Sequence, residues 1–181
     1  MRNKHALAGI AVMLAWMLGS ACPAQAQKKS LAPYKTVVVQ PFQTSVSSSD
    51  ASGLPEATRT AVIQALKDAG FFAEILTPDE ASTKLNPDKT SWLQLEARLV
   101  DFAPGNAAKR IMLGFGSGRA HARFEFTFKD AASGEVLWQD SVKQTAKYWG
   151  NAVSSSSGER SELPQGVAKK LMEQLNKARA K

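Results

Sequence analysis

The sequence predicts one α/β domain of the α+β type, in which a mixed, mainly antiparallel sheet of about five strands packs against two main helices. Three observations predict it. Residues 36–76 read as a buried strand, an amphipathic helix and a short strand in immediate succession. Residues 91–149 hold three longer stretches with an apolar side chain at nearly every second position, the spacing of half-buried strands joined by turns. An apolar stripe at i, i+4 spacing then closes the chain from about Glu162 and supplies the second helix. With 181 residues, 44% of them hydrophobic, the chain is long enough to bury one core and too apolar to be disordered.

The N-terminus stands apart from that domain. "MRNKHALAGIAVMLAWMLGSACPAQAQ" has a basic start at Arg2 and Lys4 and an apolar run from Ala6 to Leu18, the pattern of a secretory signal peptide over residues 1–26. The run is shorter than the roughly 20 residues of a membrane span. "AQA" at Ala24–Ala26 offers the small residues that a signal peptidase prefers and sets the expected cleavage after Ala26. "GSAC" competes with it, because it resembles a lipobox that would leave a lipidated Cys22. It is an imperfect one, with Gly19 where leucine is usual and Pro23 directly after the cysteine.

The two routes have different consequences. Cleavage after Ala26 leaves a periplasmic chain with no cysteine, hence no disulfide, held by packing alone. Cleavage before Cys22 would anchor the chain at the outer membrane. Loss of Arg2 and Lys4 with the peptide reduces 23 basic residues to 21 against 16 acidic ones, a net charge of +5. Such a balance permits contact with an anionic membrane surface, while nucleic acid is not a partner expected in this compartment.

Residues 27–35, "QKKSLAPYK", are polar and proline-containing and are expected to form a flexible tether ahead of a domain spanning 36–181. "TVVVQPF" at 36–42 is β-branched and almost continuously apolar, which predicts a strand buried on both faces and stopped by Pro41. After the polar loop "QTSVSSSDASG", a helix is predicted over 55–69, with Pro55 in its first turn, Gly70 as cap, and Ala57, Ala61, Val62, Ala65, Leu66 and Ala69 on the packed side. "FFAEIL" at 71–76 is a short strand. Residues 77–90 read as loop with a helical turn in "DEASTKL".

In "SWLQLEARLVDF" Leu93, Leu95, Ala97 and Leu99 share one face, and in "RAHARFEFTFKD" Ala120, Ala122, Phe124, Phe126 and Phe128 do the same. "DAASGE" at 130–135 has the composition of a hairpin tip, from which "VLWQDSVKQTAKYW" returns. Leu163, Val167, Leu171 and Leu175 form the stripe of the last helix, with Pro164 in its first turn.

"RIMLGFGSGRAHARFEF", residues 110–126, is the one stretch that asks for a functional reading. Its glycines fit neither G-x-x-x-x-G-K-[ST] nor G-x-G-x-x-G, and a strand follows instead of a helix, so a phosphate loop is not expected. Gly114, Gly116 and Gly118 are expected to supply positive φ, a bulge or a close backbone approach. That leaves Ile111, Met112, Leu113 and Phe115 as an apolar cluster flanked by Arg110 and Arg119. Either they fold back on the core or they form an exposed patch for a protein partner or a lipid surface.

Catalytic material is sparse. His5 lies in the signal peptide, and His121 falls on the polar strand face beside Arg123, so a hydrolase using His121 as base is the weakest reading. Carboxylates such as Glu96 and Glu125 suit a wet sheet face and need no acid–base role. No catalytic, cofactor-binding or metal-ligating residue is expected, and the chain is read as a non-enzyme.

Residues 95–138 carry a family resemblance. "DFAPGN", then Arg110, then "GFGSG", a strand and "D-x-x-S-G-E-x-L" resemble the bacterial envelope family known as domain of unknown function 4410. The similarity extends from "TVVVQPF" to the last helix. Many members look like lipoproteins, from which the imperfect lipobox departs. The resemblance implies a compact α/β domain similar to the curli secretion lipoprotein and to the N-terminal domain of TolB, and it brings no enzymatic activity. The expected function is a non-enzymatic binding or assembly module at the periplasm or outer membrane, whose partner is an envelope protein or a second copy. The alternative is an oligomeric secretion or pore-associated component.

Overall fold

The computed structural model describes residues 29–85, 91–106, 118–146 and 161–179. The expected signal peptide, Cys22, Ala26 and the apolar residues 110–116 lie outside them. The elements are β1 (Thr36–Val39), β2 (Gln43–Thr44), α1 (Leu54–Ala69), β3 (Glu74–Leu76), α2 (Pro78–Lys84), β4 (Leu93–Ala103), β5 (His121–Asp130), β6 (Val136–Thr145) and α3 (Leu163–Arg179). The predicted mixed α/β class holds, with one sheet of six strands in the order β3-β1-β4-β5-β6, β2 lying beside β4. Pairs made by β1 and β2 are parallel. The two long ladders, β4 with β5 and β5 with β6, are antiparallel.

The alternation read from β4 and β5 decides which face is covered. Leu93, Leu95, Leu99, Phe124, Phe126 and Phe128 are fully buried and meet Val62 and Leu66 of α1 and the whole Leu163, Val167, Leu171, Leu175 stripe of α3 in one core. Removing each such side chain from water contributes about 1.5–3 kcal/mol, so this face holds the fold together. Phe128 packs edge-on against Trp138 at 5.6 Å, and Phe42 packs edge-on against Phe126 at 5.9 Å.

β1 is buried on both sides as its continuous apolar run predicted. Val37 and Val39 join the main core, whereas Val38 is buried outside that cluster, at the end of the sheet where α2 packs against β1 and β3. The run ends at Val39 and not at Phe42. Arg59 of α1 donates to the Val39 carbonyl at 3.1 Å, and the chain resumes pairing only at Gln43.

Two helical details correct the sequence reading. On α1 the buried line is Leu54, Thr58, Val62 and Leu66; Ala57 and Ala69 are exposed and Ala61 and Ala65 half-buried, because the packed face is a strict i, i+4 row to which the alanines lie sideways. The turn at 77–85 is a capped helix. Thr77 N–H at 2.8 Å and the Thr77 hydroxyl at 3.1 Å both donate to Glu80 Oε2, which holds the Glu80 carboxyl below its usual range, and Glu80 N–H donates back to the Thr77 hydroxyl. Gly70 ends α1 with φ 61°, as its capping position predicted.

Residues 29–35 do not hang as a flexible tether. Leu31 is 6% exposed and belongs to the core, Lys29 N–H donates to the Leu137 carbonyl at 2.8 Å, and the Tyr34 hydroxyl donates to Asp130 Oδ2 at 2.7 Å. One buried leucine and two anchoring bonds turn a polar segment into a strap beneath the β5–β6 hairpin.

Candidate functional site

Because the helices cover one face, β4, β5 and β6 turn the other toward solvent, and the polar halves of the alternation line it. Near its middle is a shallow depression of about 490 Å³ bordered by Gln40, Gln43, Gln94, Arg98, Glu125 and Gln139. Opposite charges neighbour one another across the strands here. Lys129 donates to Glu96 Oε2 at 2.6 Å, and Arg98 lies in register with Glu125.

One end of this face differs. Strict alternation would turn Asp101 inward with Leu99, but the β4–β5 register shifts between Leu99 and Asp101, so Val100 is the extra residue of a bulge and Asp101 sits opposite Arg123 on the polar side. Its Oδ2 lies 3.3 Å from His121 Nε2, 3.5 Å from Arg123 and 3.9 Å from Lys143 Nζ. A single carboxylate is shared by two permanent cations and a histidine. Their side chains are 25–47% exposed, so each pair contributes about 0–1 kcal/mol to stability. The charge pattern, not stability, is what this arrangement provides: a positive surplus at one end of an otherwise balanced face.

The same end is where the chain leaves the ladder between β4 and β5. Asn106 N–H donates to the Gly118 carbonyl at 2.7 Å, so the two ends of the intervening segment are clasped together. Gly105 and Gly118 have φ of 85° and 70°, values that a side chain would strain, which accounts for glycine at 118 as the sequence predicted. Gly114 and Gly116 lie outside the described residues. Arg119 follows the clasp, and its buried Nε has no hydrogen-bond partner among the described residues.

Of the predicted candidates, the structure therefore brings Gly118, Arg119, His121 and Arg123 to one pole. Sequence reasoning missed Asp101 and Lys143. Asp101 had a signal, an acidic residue in the apolar phase of a strand, which is the mark of a bulge. Among the described residues no three His, Cys, Asp or Glu side chains gather to hold a metal, and no helix is long and apolar enough to cross a membrane.

The model of the family described as domain of unknown function (DUF4410) matches residues 30–152. No curated protein matches the chain. Among solved structures, the chain is similar to the PelC dodecamer from Paraburkholderia phytofirmans, with a TM-score of 0.51 and 16% identity over 78% of this chain and 90% of that one. It is also similar to protein XCC0632 from Xanthomonas campestris, with a TM-score of 0.49 and 9% identity over 82% and 88% of the two chains. A third is lipoprotein GNA1162 from Neisseria meningitidis, with a TM-score of 0.40 and 13% identity over 76% and 98%. At these identities the PelC likeness speaks to fold alone.

Proposed function

The chain belongs to the DUF4410 family, and from that premise we propose that it is a non-enzymatic module of the bacterial envelope that binds a protein partner through the pole bearing Asp101, Arg119, His121, Arg123 and Lys143 together with the loop residues Arg110–Phe115. The observation that carries this reading is the charge imbalance. The polar face is balanced except at the pole where Asp101 is shared by Arg123, Lys143 and His121, and the clasp between Asn106 and Gly118, which brackets the apolar stretch 110–115 in sequence, lies at the same end. Buried apolar anchors with a charged surround are the composition of protein interfaces. The signal peptide supports an envelope location, periplasmic after cleavage at Ala26 or membrane-attached through Cys22.

The test is a crosslinking pull-down from envelope fractions. Replacing Ile111, Leu113 and Phe115 with serine, or Arg123 and Lys143 with glutamate, is expected to abolish capture of the partner. Unchanged capture with both variants overturns the reading.

Self-association is the second reading, favoured by the fold shared with a protein that forms a dodecamer. A strict monomer at high concentration, with and without detergent, would count against it.

A further inference from the structure

The strap and the cationic cluster lie at opposite ends of the same strand. β5 runs from His121, beside Asp101, to Asp130, which accepts from Tyr34. Ten residues of strand at roughly 3.3 Å each separate these ends by about 30 Å. Three contacts hold the strap at the hairpin end: Lys29 N–H on the Leu137 carbonyl, Tyr34 on Asp130, and Leu31 in the core. Lys29 Nζ adds an ion pair with Glu135 at 2.5 Å. The described chain therefore begins, at Lys29, at the hairpin pole.

The outer edge of β6 is partly occupied. Lys29 N–H takes the Leu137 carbonyl, Gln174 and Lys170 of α3 donate to the carbonyls of Ser141 and Lys143, Gln144 donates to that of Thr145, and the Asp140 carboxylate accepts the Ser141 N–H. These bonds occupy the carbonyls of Leu137, Ser141, Lys143 and Thr145 and the Ser141 N–H, which hinders edge-to-edge extension along β6.

We infer that the domain is two-ended: in a form anchored through Cys22 the hairpin pole is the end held toward the membrane, and the cationic pole, at the other end of β5, meets an acidic protein on the remote side. This rests on the reading of the cationic pole as a docking surface and adds its orientation. The docked strap is what makes the orientation definite, since a free tether at 27–35 would let either pole approach the surface.

The test uses the chain beginning at Gln27, which has no cysteine, tethered through an N-terminal histidine tag to vesicles of phosphatidylcholine containing a chelating lipid and a headgroup quencher. Two exposed reporters carry a fluorophore, Ala132→Cys at the hairpin and Thr145→Cys at the cationic pole. The hairpin label is expected to be quenched about twofold or more relative to the other, given the separation of about 30 Å. The same pattern is expected after phosphatidylglycerol is added. Equal quenching of both labels overturns the two-ended arrangement, and preferential quenching of Thr145→Cys on the anionic vesicles overturns it by making the cationic pole a lipid contact. Because no partner is present, this outcome is separable from the pull-down. The Arg123 and Lys143 reversals retaining capture while the quenching pattern persists would defeat the docking surface and leave the polarity standing.

Discussion

Removing the Tyr34 hydroxyl tests whether the strap is held as described. Asp130 accepts from that hydroxyl at 2.7 Å, from Ser133 N–H at 2.7 Å, from the Ser133 hydroxyl at 2.8 Å and from Ala132 N–H at 3.1 Å. These bonds, the Tyr34 bond foremost, hold the carboxyl down from 3.8 to about 2. A depressed carboxylate contributes stability that is fully present above the unfolded value and lost as the pH falls through the folded one. The full shift corresponds to a ceiling of about 2.5 kcal/mol, and solvent screening at this partly exposed site reduces it to about 1 kcal/mol. Urea unfolding of the chain from Gln27 is therefore expected to lose about 1 kcal/mol between pH 4 and about pH 2 from this group. Asp130→Asn should remove that loss, and Tyr34→Phe should remove roughly half of it. The same bond, with its acceptor Asp130, pushes Tyr34 up from 10.0 to about 12, so its contribution should also disappear as the pH rises through that range. Parallel pH profiles for the wild type and Tyr34→Phe would refute the docking of the strap by this bond.

Other substitutions read out other parts of the fold. Gly70→Ala meets no atom within 4 Å, yet φ of 61° strains a side chain, so it should cost about 1 kcal/mol in urea unfolding. Thr58 is fully buried and its hydroxyl has no partner among the described residues, so Thr58→Val is expected to stabilise by about 1 kcal/mol, measured the same way. Lys170→Ala with Gln174→Ala frees the Ser141 and Lys143 carbonyls and should raise the rate of thioflavin-positive aggregation; an unchanged rate would show that α3 does not guard this edge.

The legible parts of the fold were those where one period ran without interruption. Leu93 to Leu99, Phe124 to Phe128 and Leu163 to Leu175 repeat their spacing long enough to set strand or helix and to name the buried face. What escaped depends on contacts between distant residues. Leu31 is one apolar side chain in a polar stretch and becomes core only because the underside of the β5–β6 hairpin is open to it. β2 is two residues long and is specified by its neighbour β4, not by its own composition. At the candidate site, His121 and Arg123 were readable from alternation, but their convergence on Asp101 needed the bulge at Val100, and Lys143 arrived through the register of β6 against β5.

The hydrogen bond between Asn106 and Gly118 also has an evolutionary side. A sheet that closes its own ladder before the chain departs does not depend on what the departing segment contains. A longer insert between Asn106 and Gly118 adds closure entropy slowly, about 0.6 kcal/mol for each doubling of length, so foreign peptides placed between those two residues are expected to leave the β4–β5 ladder folded, whatever they do to the binding of a partner.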